Sequence, residues 1–244
     1  YAQPLNGKYE KWIRDRVSAS MVFAPFREHF DTVHYQLFRR GGLLHVIPIS
    51  AEARAAGTTL EAMGALIASE GSLLLTGASW RSRAKTTVAY EGTGFSIDGI
   101  PCTPADFREV LSTFVRSGSF VLVARAGSVT ADSAPPLRVD VLMINPDGAN
   151  PHVAEASTVV GELPAEAPGS RSAPCVARID TTTGRWGRAH ALVDGRVQAF
   201  ASDPHTGARF DGAVPGWDEV VETLERMCAF APQLRFVQFR ILVG

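Results

Sequence analysis

The sequence contains little cysteine. Cys102, Cys175 and Cys228 are the only three in 244 residues, and they lie far apart. An odd number of widely spaced cysteines argues against a disulfide framework and favours a reducing, cytoplasmic compartment. The spacing is also too long for a structural zinc site, and the six histidines show no i, i+4 pairing. We therefore predict no metal ligand among these residues.

An excess of one charge and long apolar runs are missing as well. The chain has 24 basic and 25 acidic residues, so the overall balance does not predict binding to nucleic acid or to a membrane surface. The longest apolar runs, such as Phe120 to Ala124, are far too short to span a bilayer. No signal peptide is visible, although the sequence starts at Tyr1. We therefore expect no nucleic-acid partner and no membrane span.

Several motifs of common enzyme classes are also absent. The sequence has no Gly-x-Gly-x-x-Gly and no Walker-type loop, so the usual phosphate-binding glycine motifs give no guidance. It also has no Gly-x-Ser-x-Gly, so a serine-hydrolase elbow has no support.

Short apolar runs alternate with a few amphipathic segments along the chain, whose composition is that of a globular protein. The apolar runs predict strands at residues 33–38, 43–49, 72–76, 86–90, 95–97, 119–123, 137–144, 175–179, 187–193 and 234–243. Residues at 3.6-residue spacing predict helices at 9–17, 58–69, from 103 and from 217. This mixture predicts an α+β fold.

The chain divides near residue 130. Ser128 to Pro136 is a loop of small residues and a natural boundary between lobes. We predict three regions: an N-terminal helix and hairpin region at 1–57, a central lobe at 58–127 and a C-terminal lobe at 128–244.

The clearest single element begins at Thr103. Thr103 is a good N-cap, Pro104 suits the first helical position, and Asp106 suits the positive end of the helix dipole. Phe107 then opens an i, i+3, i+4, i+7 apolar stripe that runs to Phe114.

The second half of the chain carries an ordered set of short motifs, at residues 136–139, 177–184, 203–207, 212–217 and 234–237. Together they resemble motifs of the ATP-grasp superfamily, in particular its sugar-transfer-associated and teichuronopeptide-biosynthesis families. Residues 136–139 resemble their Asn-Thr-(Leu/Ile)-Arg strand, and residues 177–184 resemble their Val-Asp-x-x-Thr-Gly turn. Residues 203–207 are similar to their His-Pro-Asp-Thr-Gly with His and Asp exchanged. Residues 212–217 resemble Gly-x-x-Ile-Pro-x-Trp with one residue fewer after the glycine, and residues 234–237 match the strand that follows. The resemblance covers roughly residues 60–244.

The resemblance implies two α+β lobes around a cleft, the small lobe at 58–127 and the large lobe at 128–244. It implies ATP and Mg²⁺ as cofactors, and an ATP-dependent carboxylate–amine ligase in the biosynthesis of cell-surface polysaccharide or a related polymer. The partners would be a nucleotide and a small-molecule, glycan or peptide substrate.

The chain departs from the family pattern where phosphate chemistry would take place. Residues 74–77 replace the family's lysine-proline strand, and the loop at 78–85 has no glycine and is basic instead. Arg240 falls where the family carries a metal-binding aspartate, which reverses the charge. Because of these changes, a degenerate domain that acts as a binding or scaffold module is the alternative to a ligase. An unrelated α+β protein with chance motif matches is a third possibility.

The resemblance assigns roles to five residues. Arg138 and Asp180 would be catalytic; the alternatives are an ion pair of Arg138 with Asp140 or Asp180, and a turn-stabilising role for Asp180. Cofactor binding would fall to the loop cations Arg81, Arg83 and Lys85, which could instead be solvated charges.

Overall fold

A computed structural model describes residues 5–80, 85–92, 94–115, 120–124, 136–163, 173–203 and 206–243. The contacts within the chain divide it into two units. The N-terminal unit is Tyr9–Ser128, and the C-terminal unit combines Tyr1–Lys8 with Val129–Gly244. The division falls between Ser128 and Val129, within the small-residue sequence segment at 128–136. Each unit contains sheets and helices, so the chain has an α+β fold.

The N-terminal unit is built on a seven-stranded antiparallel sheet with the strand order β2-β1-β7-β3-β4-β5-β6. Its strands are β1 Thr32–Arg40, β2 Leu43–Pro48, β3 Leu73–Gly77, β4 Lys85–Glu91, β5 Gly94–Ile97, β6 Ile100–Cys102 and β7 Phe120–Ala124. Because β1 pairs with β7 and β7 pairs with β3, the hairpin from the predicted region 1–57 and the strands from 58–127 share one sheet.

The described part of the N-terminal unit contains four α-helices between its strands or ahead of them. They are α1 Arg16–Val22, α2 Ala51–Ala56, α3 Leu60–Ser69 and α4 Pro104–Phe114, and two 3₁₀ helices lie at Gly7–Trp12 and Ala24–His29. The predicted single helix at 9–17 is wrong. The Asp15 carboxylate accepts a hydrogen bond from the backbone N–H of Ser18 at 2.9 Å, so it begins a new helix at the point where the predicted one was to continue.

The predictions for α3 and α4 are confirmed. Thr103 and Asp106 form a reciprocal capping box at the start of α4. The apolar stripes of α3 and α4 enter the core of the unit, where Phe95 and Phe107 stack with ring centroids 4.0 Å apart. The largest fully buried side chains around them are Tyr35, Leu37, Met63, Ile67, Leu73, Leu75 and Leu111.

The C-terminal unit contains a six-stranded antiparallel sheet with the order β13-β12-β10-β9-β8-β15, and a separate β11-β14 pair. The strands are β8 Leu137–Ile144, β9 His152–Leu163, β10 Ala173–Ile179, β11 Arg185–Trp186, β12 Ala189–Val193, β13 Arg196–Phe200, β14 Gly212–Ala213 and β15 Phe236–Val243. The long central strand β9 was not predicted. Its alanines, glycine and glutamates have low strand propensity, and pairing with β8 on one side and β10 on the other offsets that weakness.

One helix, α5 Trp217–Phe230, packs on one face of this sheet and contacts β8 and β9. The residues it buries include Trp217, Leu224 and Cys228, which belong to the predicted stripe, together with Met227. Within the described part of the chain, no helix has the length and apolar character needed to cross a bilayer.

Candidate functional site

The six-stranded sheet has two unlike faces. On β8, Val139, Val141 and Met143 are fully buried on the side of α5, whereas Arg138 is exposed and Asp140 is half-buried on the other side. Strands β9 and β10 alternate in the same way, because successive side chains of a strand point to opposite faces. We call the face that carries Arg138 and Asp140 the open face.

A row of polar side chains crosses the open face. Arg240 on β15 lies opposite Asp140 on β8, Asp140 lies opposite Ser157 on β9, and Ser157 lies opposite Arg178 on β10. Residues that face each other across a ladder lie on the same side of the sheet. The row therefore begins and ends with an arginine.

Asp140 is held between two guanidinium groups. The Nε atom of Arg240 donates to one carboxylate oxygen at 2.8 Å, and an Nη atom of Arg138 donates to the other at 3.4 Å. The Asp140 side chain is 20% exposed, whereas those of Arg240 and Arg138 are 60% and 48% exposed. The predicted alternative for Arg138, an ion pair with Asp140, is thus present.

A concavity of about 250 Å³ lies beside this ion-pair cluster. Asp140 and Ser157 line one side of it, and its other lining residues are Leu142, Glu155, Phe236 and Gln238. Gln238 is two residues before Arg240 on β15, so it lies on the same face. The concavity therefore combines neutral hydrogen-bonding groups, two carboxylates and an apolar wall.

The two residues predicted to be catalytic lie apart. The register places Arg138 level with Val176 on β10, because Val139 faces Thr158 and Thr158 faces Ala177. Asp180 follows the end of the same strand. Four residues along a strand and two strands across correspond to roughly 16 Å. The fold thus places Arg138 at the ion-pair cluster and Asp180 at one end of the sheet.

Asp180 organises a tight turn. One carboxylate oxygen accepts hydrogen bonds from the backbone N–H groups of Thr182 and Thr183, at 3.0 and 2.8 Å, and from the Thr183 hydroxyl at 3.0 Å. The hydrogen bonds from Thr183, and to a smaller extent the one from Thr182, lower the pKa of Asp180. These contacts are those expected of the turn-stabilising alternative.

The residues predicted to bind the cofactor belong to the N-terminal unit. Lys85 is the first residue of β4, is exposed, and pairs with Thr76 across the β3-β4 ladder. Arg81 and Arg83 lie outside the described residues.

The residues of the open face do not fit the Mg²⁺ site that the resemblance implies. A protein-held Mg²⁺ takes carboxylate oxygens as ligands, but both oxygens of Asp140 accept hydrogen bonds from arginines. Among the described residues, no three His, Cys, Asp or Glu side chains are grouped closely enough to hold a metal ion. The arginines suit anions instead, because guanidinium groups match carboxylates and phosphates.

The sequence did not reveal Ser157 and Glu155 as part of this site. Both lie on β9, the strand that was not predicted, so no face could be assigned to them. Arg178 was noticed only as part of a turn motif. Its alternation with the buried Ala177 and Ile179 was the signal that places it on the open face.

Comparison of the chain with models of known protein families, with curated proteins and with solved structures finds no match.

Proposed function

We propose that the chain is a divergent ATP-grasp-like domain that binds a nucleotide on the open face of its six-stranded sheet, as a binding module without ligase activity. The observation that carries this proposal is the 2.8 Å ion pair between Arg240 and Asp140. In the families that the sequence resembles, an aspartate that binds metal occupies the place of Arg240. An arginine there changes a cation-binding position into an anion-binding one.

The chemistry of the cluster suits phosphate. Hydrogen bonds between guanidinium groups and phosphate oxygens are charge-assisted and stronger than neutral ones. Arg138 and Arg240 together carry two positive charges and share the carboxylate of Asp140, so the three groups together carry one positive charge. Ser157 and Gln238 lie beside Asp140 and add neutral donors.

A second candidate function is the ATP-dependent carboxylate–amine ligase, acting in the cytoplasm on a glycan or peptide substrate of cell-surface polymer biosynthesis. The order of the motifs from Arg138 to Trp217 favours it, and so does the exposure of Arg138 on the open face. An active ligase also needs groups that position the acyl phosphate and the attacking amine. Arg138, Ser157 and Gln238 are among the described residues of the open face that could do so.

Two measurements on the purified chain separate these functions. Isothermal titration with ATP tests binding, and chromatography of ATP mixtures with candidate carboxylates and amines tests for ADP and an amide product. We expect binding without ADP formation. Formation of both ADP and the amide would establish the ligase instead, and failure to bind ATP under any condition would overturn both functions.

A matched pair of variants tests the location of the site. Arg138→Ala removes a cation from the cluster, and Arg196→Ala removes an exposed arginine from the edge strand β13 of the same sheet. We expect about tenfold weaker ATP binding for the first, because a hydrogen bond to a charged group is lost. The second should bind like the wild type. Equal affinities of all three proteins would show that the nucleotide binds elsewhere.

A further inference from the structure

We infer that the open face binds phosphate oxygens directly through Arg138 and Arg240, without a divalent cation, and that its ligand is a polyphosphate-bearing small molecule such as a nucleoside triphosphate. This inference rests on the nucleotide binding proposed above and specifies how the phosphates are held. It departs from the metal-dependent pattern that the sequence resemblance implies, and it follows from the contacts of three side chains.

The three side chains of the ion-pair cluster carry a net positive charge. A site that binds Mg²⁺ collects carboxylates, and the ion then bridges them to the phosphates. Here two arginines surround the one carboxylate of Asp140, which leaves one positive charge in excess. Arg178, at the far end of the same row, adds another. The protein therefore supplies positive charge of its own to a phosphate chain along this row.

Most hydrogen-bond donors of the two arginines remain available to a ligand. A guanidinium group has five N–H donors. Arg240 uses its Nε donor on Asp140, and Arg138 uses a donor on one Nη atom. The other donors of both groups make no hydrogen bond to a described residue, and the two side chains are 60% and 48% exposed. Each arginine can thus keep its contact with Asp140 while it donates to a ligand.

Asp140 holds the two arginines close to each other. Arg138 precedes Asp140 by two residues on β8, and Arg240 faces Asp140 from β15. Their contacts with a single carboxylate bring the two guanidinium groups together before any ligand arrives. This reduces the side-chain entropy that is lost on binding. Asp140 is therefore a positioning residue and does not contact the phosphates itself.

The direction of the phosphate chain follows from the neighbours. Glu155 lines the concavity on one side of the row and disfavours phosphate there. Ser157 and then Arg178 continue the row across the sheet. At about 4.8 Å per strand, the two end arginines of the row lie about 14 Å apart. The chain of phosphates is thus expected to run from Arg240 toward Arg178.

The test uses the whole chain and compares ATP and inorganic tripolyphosphate in excess Mg²⁺ and in excess EDTA, by isothermal titration. We expect binding in EDTA that is at least as tight as binding in Mg²⁺. Arg240→Ala should weaken it about tenfold in EDTA, because one charge-assisted contact is lost. Arg196→Ala is the control and should change neither value.

A charge-reversing variant tests whether the charge at position 240 determines the dependence of binding on Mg²⁺. Arg240→Asp places a second carboxylate beside Asp140, so we expect it to bind ATP in Mg²⁺ only and to lose measurable binding in EDTA. Circular dichroism should show that the variants remain folded, since Arg240 is largely exposed. If the wild type binds ATP in Mg²⁺ but not in EDTA, the metal-free mode is wrong and the proposed nucleotide binding stands. If it binds neither ligand in either condition, both are wrong.

Discussion

The indole N–H of Trp217 donates a hydrogen bond to the backbone carbonyl of Thr181 at 3.0 Å. This bond ties the first residue of α5 to the turn that Asp180 organises. Gly184 ends that turn and lies directly against the Trp217 side chain. The backbone N–H of Val214 also donates to the carbonyl of Gly184 at 2.9 Å. The turn and the start of the helix therefore form one packed structure.

We predict that Gly184→Ala strongly destabilises the C-terminal unit. Gly184 has a φ of +68°, and an added Cβ would lie 2.5 Å from Cγ of Trp217. Backbone strain and overpacking together should lower the free energy of unfolding by roughly 2–4 kcal/mol. Urea denaturation followed by tryptophan fluorescence measures this change.

Gly195→Ala is the matched control. Gly195 has a similar φ of +74°, but no atom lies within 4 Å of the added Cβ. The substitution should lower the free energy of unfolding only through backbone strain, by about 1 kcal/mol. Equal losses in the two variants would show that the contact with Trp217 contributes nothing.

Asp180 offers a test of the turn-stabilising role. Asp180→Ala leaves the N–H groups of Thr182 and Thr183 without their carboxylate acceptor, so we expect a lower melting temperature. Asp180→Asn keeps an oxygen acceptor and should lose less. ATP binding should be the same in both variants and the wild type. If Asp180→Asn instead abolishes binding or turnover while the melting temperature is retained, Asp180 acts on the ligand.

His34 makes the stability of the N-terminal unit dependent on pH. Its side chain is 2% exposed, and its Nδ1 atom is 2.9 Å from the Ser50 hydroxyl. Its Nε2 atom is buried, makes no hydrogen bond to a described residue, and lies 3.9 Å from a carboxylate oxygen of Glu70. Burial lowers the pKa of His34 from 6.5, and the carboxylates of Glu70 and Glu52 partly oppose this shift.

Lowering the pH destabilises the N-terminal unit through His34. The unfolded chain binds a proton on His34 more readily than the folded chain does, so stability falls as the pH drops below about 6.5 toward the lowered pKa of the folded state. We expect thermal unfolding between about pH 7 and pH 5 to show this loss. His34→Gln should reduce the slope, whereas His152→Gln, at an exposed position on β9, should leave it unchanged. An unaltered slope in His34→Gln would assign the effect to other groups.

We expect the N-cap of α4 to make a measurable contribution to the free energy of unfolding. Thr103→Ala removes the side chain that accepts from the backbone N–H of Asp106 at 3.2 Å, and N-cap losses of this kind cost about 1 kcal/mol. Thr113→Ala, at an exposed position within the same helix, is the control and should be neutral or slightly stabilising. Chemical denaturation of both proteins gives the difference. A similar loss in the two variants would argue that the capping box contributes no stability.

Local chemistry explains which elements could be predicted. Thr103, Pro104 and Asp106 specify a helix start by themselves, because a cap satisfies backbone donors within one turn. The apolar spacing from Trp217 along α5 and the alternation along β8 are also readable without a partner. The prediction of one helix at 9–17 was wrong because Asp15 caps a new helix within the apolar spacing. Only the folded chain shows that the cap, and not the spacing, determines where the helix begins.

The site depended on information that lies far apart in the chain. Arg138 and Asp140 are neighbours on one strand, and their ion pair was among the predicted alternatives. Arg240 is 100 residues away from Asp140, and only the pairing of β15 with β8 brings it there. The order of strands likewise places Ser157 beside Asp140, because β9 pairs with β8.

The sequence alone determined the α+β class and the capped helix at Thr103. These features depend on composition, periodicity and turn chemistry, which act over a few residues. The tertiary structure decided that Asp140 lies between two arginines, that Asp180 holds a turn, and that one face of the sheet stays open. Register and strand order fix those relationships, because long-range pairing is selected by the packing of the whole sheet.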